Sequence, residues 1–507
     1  MDAYKTDKGQ AYILSIDQST QGTKALLFDQ RGTLLLRKDL AHRQIVNEKG
    51  WVSHNLNEIY ANTIQTAVQV IKASGIDQRQ LAAVGISNQR ETTAMWDRVT
   101  GEPLADAVVW QCGRAEALCR EIAQAGSGGL VQAKTGIPLS GYFPASKMAW
   151  LLRNTEGAAR KAEEGRLALG TMDSWLVYRL TKGKAYRTDV SNASRTQLLN
   201  LETLRWDEEL CGLFGIPVQA LAEVADSDAC FGDTDLDGYL EHPVPILGVL
   251  GDSHGALFGQ GCIRPGMIKA TCGTGSSLMM NIGSKPIRSS HGVVTSVAWG
   301  MGGEVTYCLE GNLNYTGAVI SWLKNDLHLI QSAAQTQQDA YAANPQDATY
   351  LVPAFTGLGA PYWDANARAV LSGISRTTGR AEIVKAALEC IAYQINDLVQ
   401  AMEQDTATPI SQLRVDGGPS RNTYLMQFQS DISAKEVLVP QAEELSGIGA
   451  AYAAGIAAGV FDKEKLFAQS DITIYHPKME DSVRQHKLEG WKQAVRQALT
   501  KESGETG

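Results

Sequence analysis

The sequence predicts an α/β protein whose two halves resemble each other. Short apolar runs of strand length alternate with longer runs of helical spacing, which is typical of that class. A strand, a tight polar turn and a second strand occur near Asp17 and again near Cys272, about 255 residues apart. A repeat at half the chain length favours an internal duplication. We therefore expect one domain over residues 1–256 and a second over residues 257–507.

The first half opens on an apolar strand over 12–16 that ends at Asp17, followed by a polar turn and a second strand over 25–28. Residues 58–71 have helical spacing, because Ile59, Ala67 and Val70 fall on one face. Apolar runs over 82–87 and 107–109 predict further strands, each followed by a polar segment. The Pro-, Gly- and Asp-rich stretch 226–245 is the expected seam between the halves.

The second half repeats the hairpin with strands over 267–270 and 278–280 around a glycine-rich turn. Residues 382–402 predict a helix, since Ile383, Ala387 and Ile391 recur at helical spacing. Residues 447–460 are rich in alanine and glycine, and a helix of such small residues permits a close approach of another backbone.

Composition and charge exclude several classes of protein. Hydrophobic residues make up 44% of the 507 residues and charged residues 20%, which is an ordinary globular balance. The net charge is 46 − 55 = −9, which argues against broad binding to nucleic acid or to a membrane surface. No apolar run reaches the ~18 residues of a membrane span, and we expect no signal peptide. The sequence predicts a small-molecule partner and no nucleic acid.

The eight cysteines predict neither a disulfide framework nor a zinc site. They are dispersed, and the closest pair, Cys112 and Cys119, is not a CxxC motif. The eight histidines contain no HExxH motif either. Reduced, buried thiols in a cytoplasmic protein are the expectation.

Three glycine-rich or polar turns follow apolar strands and are candidates for holding phosphate. They lie at residues 19–23, 273–277 and 417–422. Backbone N–H groups and hydroxyls in such turns bind anions. None of the three is GxxxxGK[ST] or GxGxxG, so neither a P-loop nor a dinucleotide site is predicted. One nucleotide explains three such turns better than three unrelated structural turns do.

Two aspartates stand at the ends of predicted strands. Asp17 precedes the first polar turn, where a carboxylate can hold Mg²⁺ through water. Asp252 lies between glycines after the apolar stretch 244–250, where it is sterically open to act as a general base toward a hydroxyl. Taken singly, each is better explained as an aspartate that caps a turn.

Longer blocks carry a resemblance that covers residues 10–495. The blocks are Asp17-Gln18-Ser19-Thr20, Asn88–Thr93, Val109–Cys112, Asn192–Thr196 and Pro353–Trp363. One signature-like segment runs from Tyr142 through Lys147 and Trp150 to Asn154, and another from Ala369 through Gly373 to Glu389. Together they resemble the FGGY family of carbohydrate kinases, and most of all its glycerol-phosphorylating members.

The resemblance implies two RNase-H-like domains of the actin and hexokinase type, with a central cleft. It implies transfer of a phosphoryl group from ATP to a terminal hydroxyl of glycerol, with Mg²⁺ required, and a homo-oligomer of two or four chains. Asp252 corresponds to the general base and Asp17 to the carboxylate that organises the metal.

The remaining correspondences fall into two groups. Arg90, Glu91, Trp110, Tyr142 and Asp252 match positions that contact the acceptor, and we expect Ser253 and Ser277 to contact it as well. Positions that contact ATP are Thr20, Gln21, Lys24, Thr274, Gly317, Ser321, Gly418 and Asn422.

At the predicted acceptor site, three residues depart from the pattern of the glycerol-phosphorylating members. Those members usually place two glutamines after the base, where this chain has Ser253 and His254, and a phenylalanine at Ser277. Losing an apolar contact of that size would cost glycerol about 1–3 kcal/mol. A longer polyol or a ketose, of the erythritol, ribitol, ribulose or xylulose type, therefore remains the alternative acceptor.

A different class of function is also compatible with the fold. A sugar-binding or regulatory protein can keep this fold without turnover, because fold alone does not fix activity. The presence of both Asp17 and Asp252 argues against that interpretation.

Overall fold

The computed structural model describes residues 10–468 and 471–500. These residues form helices and strands in both halves, as predicted for an α/β protein. No helix within the two described ranges combines the length and apolarity that crossing a membrane requires.

The first half contains most of the short strands. Its strands are β1 (Tyr12–Gln18), β2 (Gly22–Phe28), β3 (Leu34–Ala41), β4 (Gln44–Val46), β5 (Val52–His54), β6 (Leu81–Asn88), β7 (Thr93–Asp97), β8 (Ala107–Val108), β9 (Leu167–Thr171), β10 (Arg187–Asp189), β11 (Leu199–Asn200), β12 (Arg205–Trp206), β13 (Glu223–Ala225), β14 (Asp233–Thr234) and β15 (Val244–Gly251). Its helices are α1 (Leu56–Ser74), α2 (Glu116–Gln124), α3 (Gly128–Thr135), α4 (Pro144–Asn154), α5 (Ala158–Glu163), α6 (Met172–Leu180), α7 (Val190–Ser194), α8 (Glu208–Phe214) and α9 (Asp252–Gly259).

The second half has longer helices. Its strands are β16 (Ile268–Cys272), β17 (Ser276–Gly283), β18 (Val294–Met301), β19 (Glu304–Leu313), β20 (Tyr350–Val352), β21 (Val370–Ser372), β22 (Gln412–Gly417), β23 (Glu436–Pro440) and β24 (Ile472–Tyr475). Its helices are α10 (Gly317–Asn325), α11 (Gln335–Ala342), α12 (Arg380–Thr406), α13 (Thr423–Ser433), α14 (Leu445–Ala457), α15 (Lys463–Ala468) and α16 (Asp481–Ala498).

The two main sheets repeat one order of six strands, and β18 is a seventh strand at the edge of the second sheet. The first runs β14-β15-β6-β1-β2-β3 and the second runs β24-β23-β22-β16-β17-β19-β18. In both, the hairpin is antiparallel, the next two strands along the sheet are parallel, and an antiparallel strand closes that edge. The duplication predicted from the repeated hairpins is therefore present in the topology.

The stretch 226–245, expected as the seam between the halves, is part of the first sheet. This stretch carries β14, which pairs with β15 at the edge of the first sheet. Proline, glycine and aspartate are common at sheet edges as well as in linkers, so composition did not separate the two. The boundary near residue 256 falls inside α9, and the division into residues 1–256 and 257–507 stays a prediction.

Helices α9 and α14 tie the halves together. Helix α14 follows a strand of the second sheet yet packs against the first sheet, where Ser15 Oγ donates a 2.7 Å hydrogen bond to the Gly447 carbonyl. Helix α9 follows the first sheet and packs against the second. The two helices touch at glycines, because a Cβ on Gly449 would lie 1.9 Å from the Gly255 carbonyl oxygen. Small residues in 447–460 thus permit the close approach that the sequence predicts.

The eight cysteines are free thiols, and all but the half-buried Cys230 are buried. Deep burial raises the pKa of several of them, for example Cys262 to about 12. Seven of the eight are therefore buried as predicted, and their reduced state stays a prediction.

Candidate active site

A cleft of about 1110 Å³ lies at the carboxyl ends of both main sheets. One side is built from the β1–β2 turn, β3 and the segments that follow β6 and β8. The other side is built from the β16–β17 turn and the segment between β19 and α10. The floor contains Asp252 and Ser253, at the start of α9.

Strand register explains why distant residues meet on the first side. In the parallel strands, Asp17 of β1 lies opposite Ser87 of β6, and Asn88 lies opposite Gly251 of β15. The residues after these strands therefore emerge at the same edge, which is where ligands bind in open α/β sheets. This brings together Asp17, Arg90 and Asp252, as the sequence predicts.

A buried network of charges connects Asp252 to the second sheet. Arg90 donates from Nε to Asp252 Oδ1 at 3.1 Å, and its two terminal nitrogens reach both oxygens of Glu310 at 2.8 and 2.9 Å. Arg195 donates to Glu91 Oε1 at 2.7 Å and lies 3.0 Å from Glu310 Oε2. Forked contacts of this kind fix both partners in orientation.

Exposure separates Asp252 from the rest of this network. The side chains of Arg90, Glu91, Arg195 and Glu310 are at most 5% exposed, whereas that of Asp252 is 36% exposed. Burial alone would raise the pKa of Glu310, but the two arginines hold it well below its usual range. The network therefore presents one open carboxylate to the cleft and keeps the others in place.

Glu91 adopts an uncommon backbone conformation. Its φ is +58°, in the left-handed region that non-glycine residues rarely enter. Residues held there by their surroundings concentrate at functional sites. Here the Arg195 contact holds the carboxylate, and Thr92 N donates to the Arg90 carbonyl at 2.7 Å.

Trp110 and Tyr142 form an aromatic wall beside Asp252. Their rings meet edge to face, with centroids 5.7 Å apart. Trp110 Nε1 donates to Thr20 Oγ1 at 2.9 Å, which joins the wall to the β1–β2 turn. The fully buried Lys147 donates to the Tyr142 carbonyl, and burial lowers the pKa of this lysine to about 7. Such a wall can cover the C–H face of a polyol.

The β1–β2 turn brings Lys24 beside two carboxylates. Its Nζ lies 2.6 Å from Glu444 Oε2 and 3.8 Å from Asp17 Oδ2. Burial raises the pKa of Asp17 to about 6, although Lys24 opposes the change. A buried carboxylate of this kind gains from a cation, whether an ammonium group or a metal ion.

The second side of the cleft is built mainly from backbone. The Gly273 N–H donates to Gly275 at 2.7 Å, and Gly317 N–H donates to Gly273 at 3.0 Å. Gly417 has a φ of +92°, and a Cβ there would lie 2.0 Å from the Cys272 carbonyl oxygen. Glycine is required at this position, because the two glycine-rich turns would otherwise clash.

Most of the predicted site residues line the cleft. They are Thr20, Gln21, Lys24, Arg90, Glu91, Trp110, Tyr142, Asp252, Ser253, Thr274 and Ser277. Asp17 lies buried behind the β1–β2 turn, and Gly317 packs on the turn that contains Thr274.

The other predicted nucleotide contacts lie further out. Ser321 is one turn along α10, with its hydroxyl donating to the Gly317 carbonyl at 3.3 Å. Gly418 begins the short 3₁₀ turn after β22. Asn422 accepts from Leu425 N–H at 3.0 Å and donates to Thr336 Oγ1 at 3.1 Å, so its side chain already caps α13. The roles assigned to the site residues, these three included, stay predictions.

His254 does not line the cleft. It is fully buried, with Nε2 3.5 Å from Ser296 Oγ, and burial lowers its pKa well below the usual range. Of the three residues that depart from the glycerol pattern, only Ser253 and Ser277 face the cleft. The reason is local, because successive residues at the start of a helix point in directions about 100° apart.

Sequence reasoning missed Glu310, and it gave Arg195 no role. Glu310 is 0% exposed in the middle of β19, between Leu309 and Gly311. A charged residue directly after the apolar run 307–309 was the available signal, since buried charges need partners. Arg195 lies in one of the blocks that carry the resemblance.

Two family models match the chain. The N-terminal domain of the FGGY family of carbohydrate kinases matches residues 12–259, and the C-terminal domain matches residues 268–458.

Relatives and solved structures agree with these matches. Glycerol kinase 1 of Thermotoga maritima is 46% identical over 96% of this chain and 100% of its own length. A glycerol kinase of Shewanella frigidimarina is 44% identical over 96% of this chain and 97% of its own. The crystal structure of Plasmodium falciparum glycerol kinase with ADP has a TM-score of 0.91 at 35% identity, covering 97% and 99% of the two chains. The predicted fold of two actin- and hexokinase-type domains around a cleft is thereby confirmed, and the chain belongs to the FGGY family of carbohydrate kinases.

Proposed function

We propose that this kinase transfers the γ-phosphoryl group of ATP to a terminal hydroxyl of glycerol, forming glycerol 3-phosphate. The observation that carries the proposal is the Asp252 carboxylate, held by Arg90 and open to the cleft beside the Trp110–Tyr142 wall. The names of relatives at 42–46% identity support glycerol as the acceptor.

The acceptor would lie between the charged network and the aromatic wall. Arg90 and Glu91 supply a donor and an acceptor for its hydroxyl groups, and Trp110 and Tyr142 cover its carbon chain. Because the network is buried and paired before the substrate arrives, little reorganisation accompanies binding. Ser253 and Ser277 would complete the acceptor contacts at the floor and on the second side.

Asp252 acts as the general base. Its carboxylate takes the proton of the attacking hydroxyl as that oxygen forms its bond to the γ-phosphorus. The bond from that phosphorus to the bridging oxygen breaks, ADP leaves, and the proton passes from Asp252 to water. Arg90 orients the carboxylate by its Nε contact, so the base is positioned rather than free to rotate.

ATP would span both halves. The β1–β2 turn with Thr20, Gln21 and Lys24 faces the turn with Thr274 across the cleft, where the two would hold the phosphates. Gly317, Ser321, Gly418 and Asn422 would contact the rest of the nucleotide, beyond the glycine-rich turns of the second half.

The carboxylates at this edge fit a bound Mg²⁺. Asp17 is buried and ionises less readily than usual, and Asp252 is near enough to add to that effect. No cluster of three or more metal-ligating side chains exists among residues 10–468 and 471–500. Mg²⁺ commonly keeps several waters and binds through one or two carboxylates and the substrate phosphates. When bound, the ion would neutralise charge on the phosphates, with Asp17 holding its water shell.

We also propose a cytoplasmic enzyme that forms dimers or tetramers. The free thiols support a reducing compartment. Leu34 and Leu35 are 37% and 48% exposed on the edge strand β3, which supports an interface there. Light scattering coupled to size exclusion measures the assembly directly.

The Asp252→Asn variant tests the proposed base. We expect turnover to fall about 10²–10⁴-fold while binding of the acceptor is largely retained, because the amide keeps the shape but takes no proton. Asp326→Asn, at an exposed aspartate beyond α10, is the control. An unchanged rate for Asp252→Asn would refute the assignment of the base. If the wild-type protein binds the acceptor but does not phosphorylate it, a non-catalytic binding protein is favoured.

A further inference from the structure

The wall that faces Trp110 and Tyr142 belongs to β17 and β19. A series of hydrogen bonds connects this wall to Asp252. Arg90 contacts both Asp252 and Glu310, and Asn312 Nδ2 donates to Glu310 Oε1 at 3.1 Å. Ser277 is the cross-strand partner of Asn312. Both side chains line the cleft, so they lie at its acceptor end.

Each of these two side chains has an unused polar atom. Ser277 Oγ is buried and has no hydrogen-bond partner within the described residues. Asn312 Nδ2 donates to Glu310, and its Oδ1 contacts no donor among residues 10–468 and 471–500. A hydroxyl that is shielded from water without a partner is unfavourable until a ligand supplies one.

This wall presents further polar groups to the cleft. Ser253 on the floor and Asn314 beyond Asn312 continue the run of hydroxyl and carboxamide groups. The opposite side presents the rings of Trp110 and Tyr142 to the cleft. The wall therefore has more hydrogen-bonding groups than glycerol, with three hydroxyls, can satisfy together with Arg90, Glu91 and Asp252.

We propose that the acceptor site takes an acyclic polyol longer than glycerol by one or two carbons, with Ser277 Oγ and Asn312 Oδ1 binding the added hydroxyl groups. The inference rests on the proposed function, since it uses the same base and the same aromatic wall. It adds the substrate class and names two residues that determine specificity. A site with hydrogen-bonding groups for a hydroxyl discriminates strongly against an acceptor that lacks it.

The first arm of the test is a panel of acceptors. ADP formation with Mg·ATP is measured for glycerol, erythritol, threitol, ribitol and xylitol on the full chain. We expect at least one longer polyol to reach one tenth or more of the kcat/KM of glycerol. If every longer polyol falls below one tenth, the inference is overturned while the proposed function stands. If no polyol, glycerol included, stimulates ADP formation, the proposed function itself has failed.

The second arm uses variants. For each variant, the kcat/KM for the best longer polyol is divided by the kcat/KM of the same variant for glycerol. Ser277→Ala and Asn312→Ala should each lower the ratio of kcat/KM for the best longer polyol to that for glycerol by about tenfold. Ser277→Phe should lower it further, because the ring fills the space and covers glycerol carbons. Ser332→Ala and Asn325→Ala, at exposed positions, are matched controls. An unchanged ratio in both alanine variants would show that these side chains do not read the acceptor, and would overturn the inference.

Discussion

The two main sheets share one strand order but equip their carboxyl ends differently. In the first sheet, Asp17 lies near the carboxyl end of β1, and Arg90 and Asp252 follow β6 and β15, so charged side chains dominate. In the second sheet, the corresponding turns after β16 and β22 are glycine-rich, and backbone groups dominate. Side chains suit proton transfer and recognition of hydroxyls, whereas closely approaching backbone suits a phosphate chain.

This division has consequences for mutation. On the first side, function should depend on the identity of buried charged groups. On the second side, it should depend on the absence of side chains at a few backbone positions. Glu310 belongs to the second sheet but extends the network of the first, so it joins the two kinds of site.

The largest expected effect comes from breaking that junction. In Glu310→Gln, two buried guanidinium groups lose their shared carboxylate, and we expect the free energy of unfolding to fall by about 3–5 kcal/mol. The KM for the acceptor should rise as well, because Arg90 would no longer be held. Urea denaturation followed by circular dichroism measures the first effect, and steady-state kinetics the second.

A surface pair provides the control for Glu310. Glu202 lies 3.0 Å from Arg288, with both side chains more than half exposed, so Glu202→Gln should cost less than about 1 kcal/mol. Equal decreases in the free energy of unfolding in the two variants would show that the buried Glu310 network stabilises the fold no more than a surface ion pair does.

An intermediate effect is expected at the glycine-rich turns. In Gly417→Ala, the new Cβ would meet the Cys272 carbonyl and displace a turn of the nucleotide side. We expect kcat/KM for ATP to fall about 10²-fold, since small displacements of positioning groups have effects of that size. The KM for the acceptor should change much less.

Gly459→Ala is a control for a positive φ without a close contact. Gly459 has a φ of +70° but open space around its Cβ position, so the substitution should cost about 1 kcal/mol in stability and leave ATP kinetics alone. If Gly417→Ala behaves like Gly459→Ala, the close contact of the two turns is unimportant for the nucleotide.

The smallest effect concerns pH. Burial raises the pKa of Asp397 to about 6, although Trp491 Nε1 and the Tyr362 hydroxyl donate to it at 2.8 and 2.9 Å. Its folded-state pKa exceeds the unfolded value, so its contribution to stability is present at low pH and is lost as pH rises through about 6. Asp397→Asn should therefore gain a few degrees in Tm relative to wild type between pH 4.5 and 7.5.

Asp364 supplies the comparison for this prediction. Hydrogen bonds from the Thr500 backbone and hydroxyl hold its pKa below the usual range, so it stays ionised above pH 4.5. The Tm difference between Asp364→Asn and wild type should stay flat across the same interval. A flat difference for Asp397→Asn too would contradict the assigned pKa.

Local patterns predicted much of the fold and about one side of the site. Apolar runs located β1, β6 and the hairpin β16–β17 to within a few residues, and helix 58–71 was found as α1, which Asn55 caps. Strand ends indicated Asp17 and Asp252. The contact between Arg90 and Glu310 spans 220 residues of sequence, so no local pattern could reveal it.

The direction of individual side chains could not be predicted from the sequence. Neighbouring residues at the start of α9 point differently, so Ser253 reaches the cleft while His254 is buried. The role of Asn312 depends on its register opposite Ser277, which is set by pairing of β17 with β19 and not by either strand alone. The Pro- and Gly-rich stretch 226–245 contains the edge strand β14 and is not a linker. Its composition could not show this, since β14 is defined by its pairing with β15.

The most direct test of the account is to identify the product formed from Mg·ATP and glycerol by ³¹P NMR. The account predicts one phosphomonoester, glycerol 3-phosphate, formed in equal amount with ADP by the wild type and lost in Asp252→Asn. Formation of ADP and inorganic phosphate alone, or of the same phosphomonoester at an undiminished rate in Asp252→Asn, would contradict it.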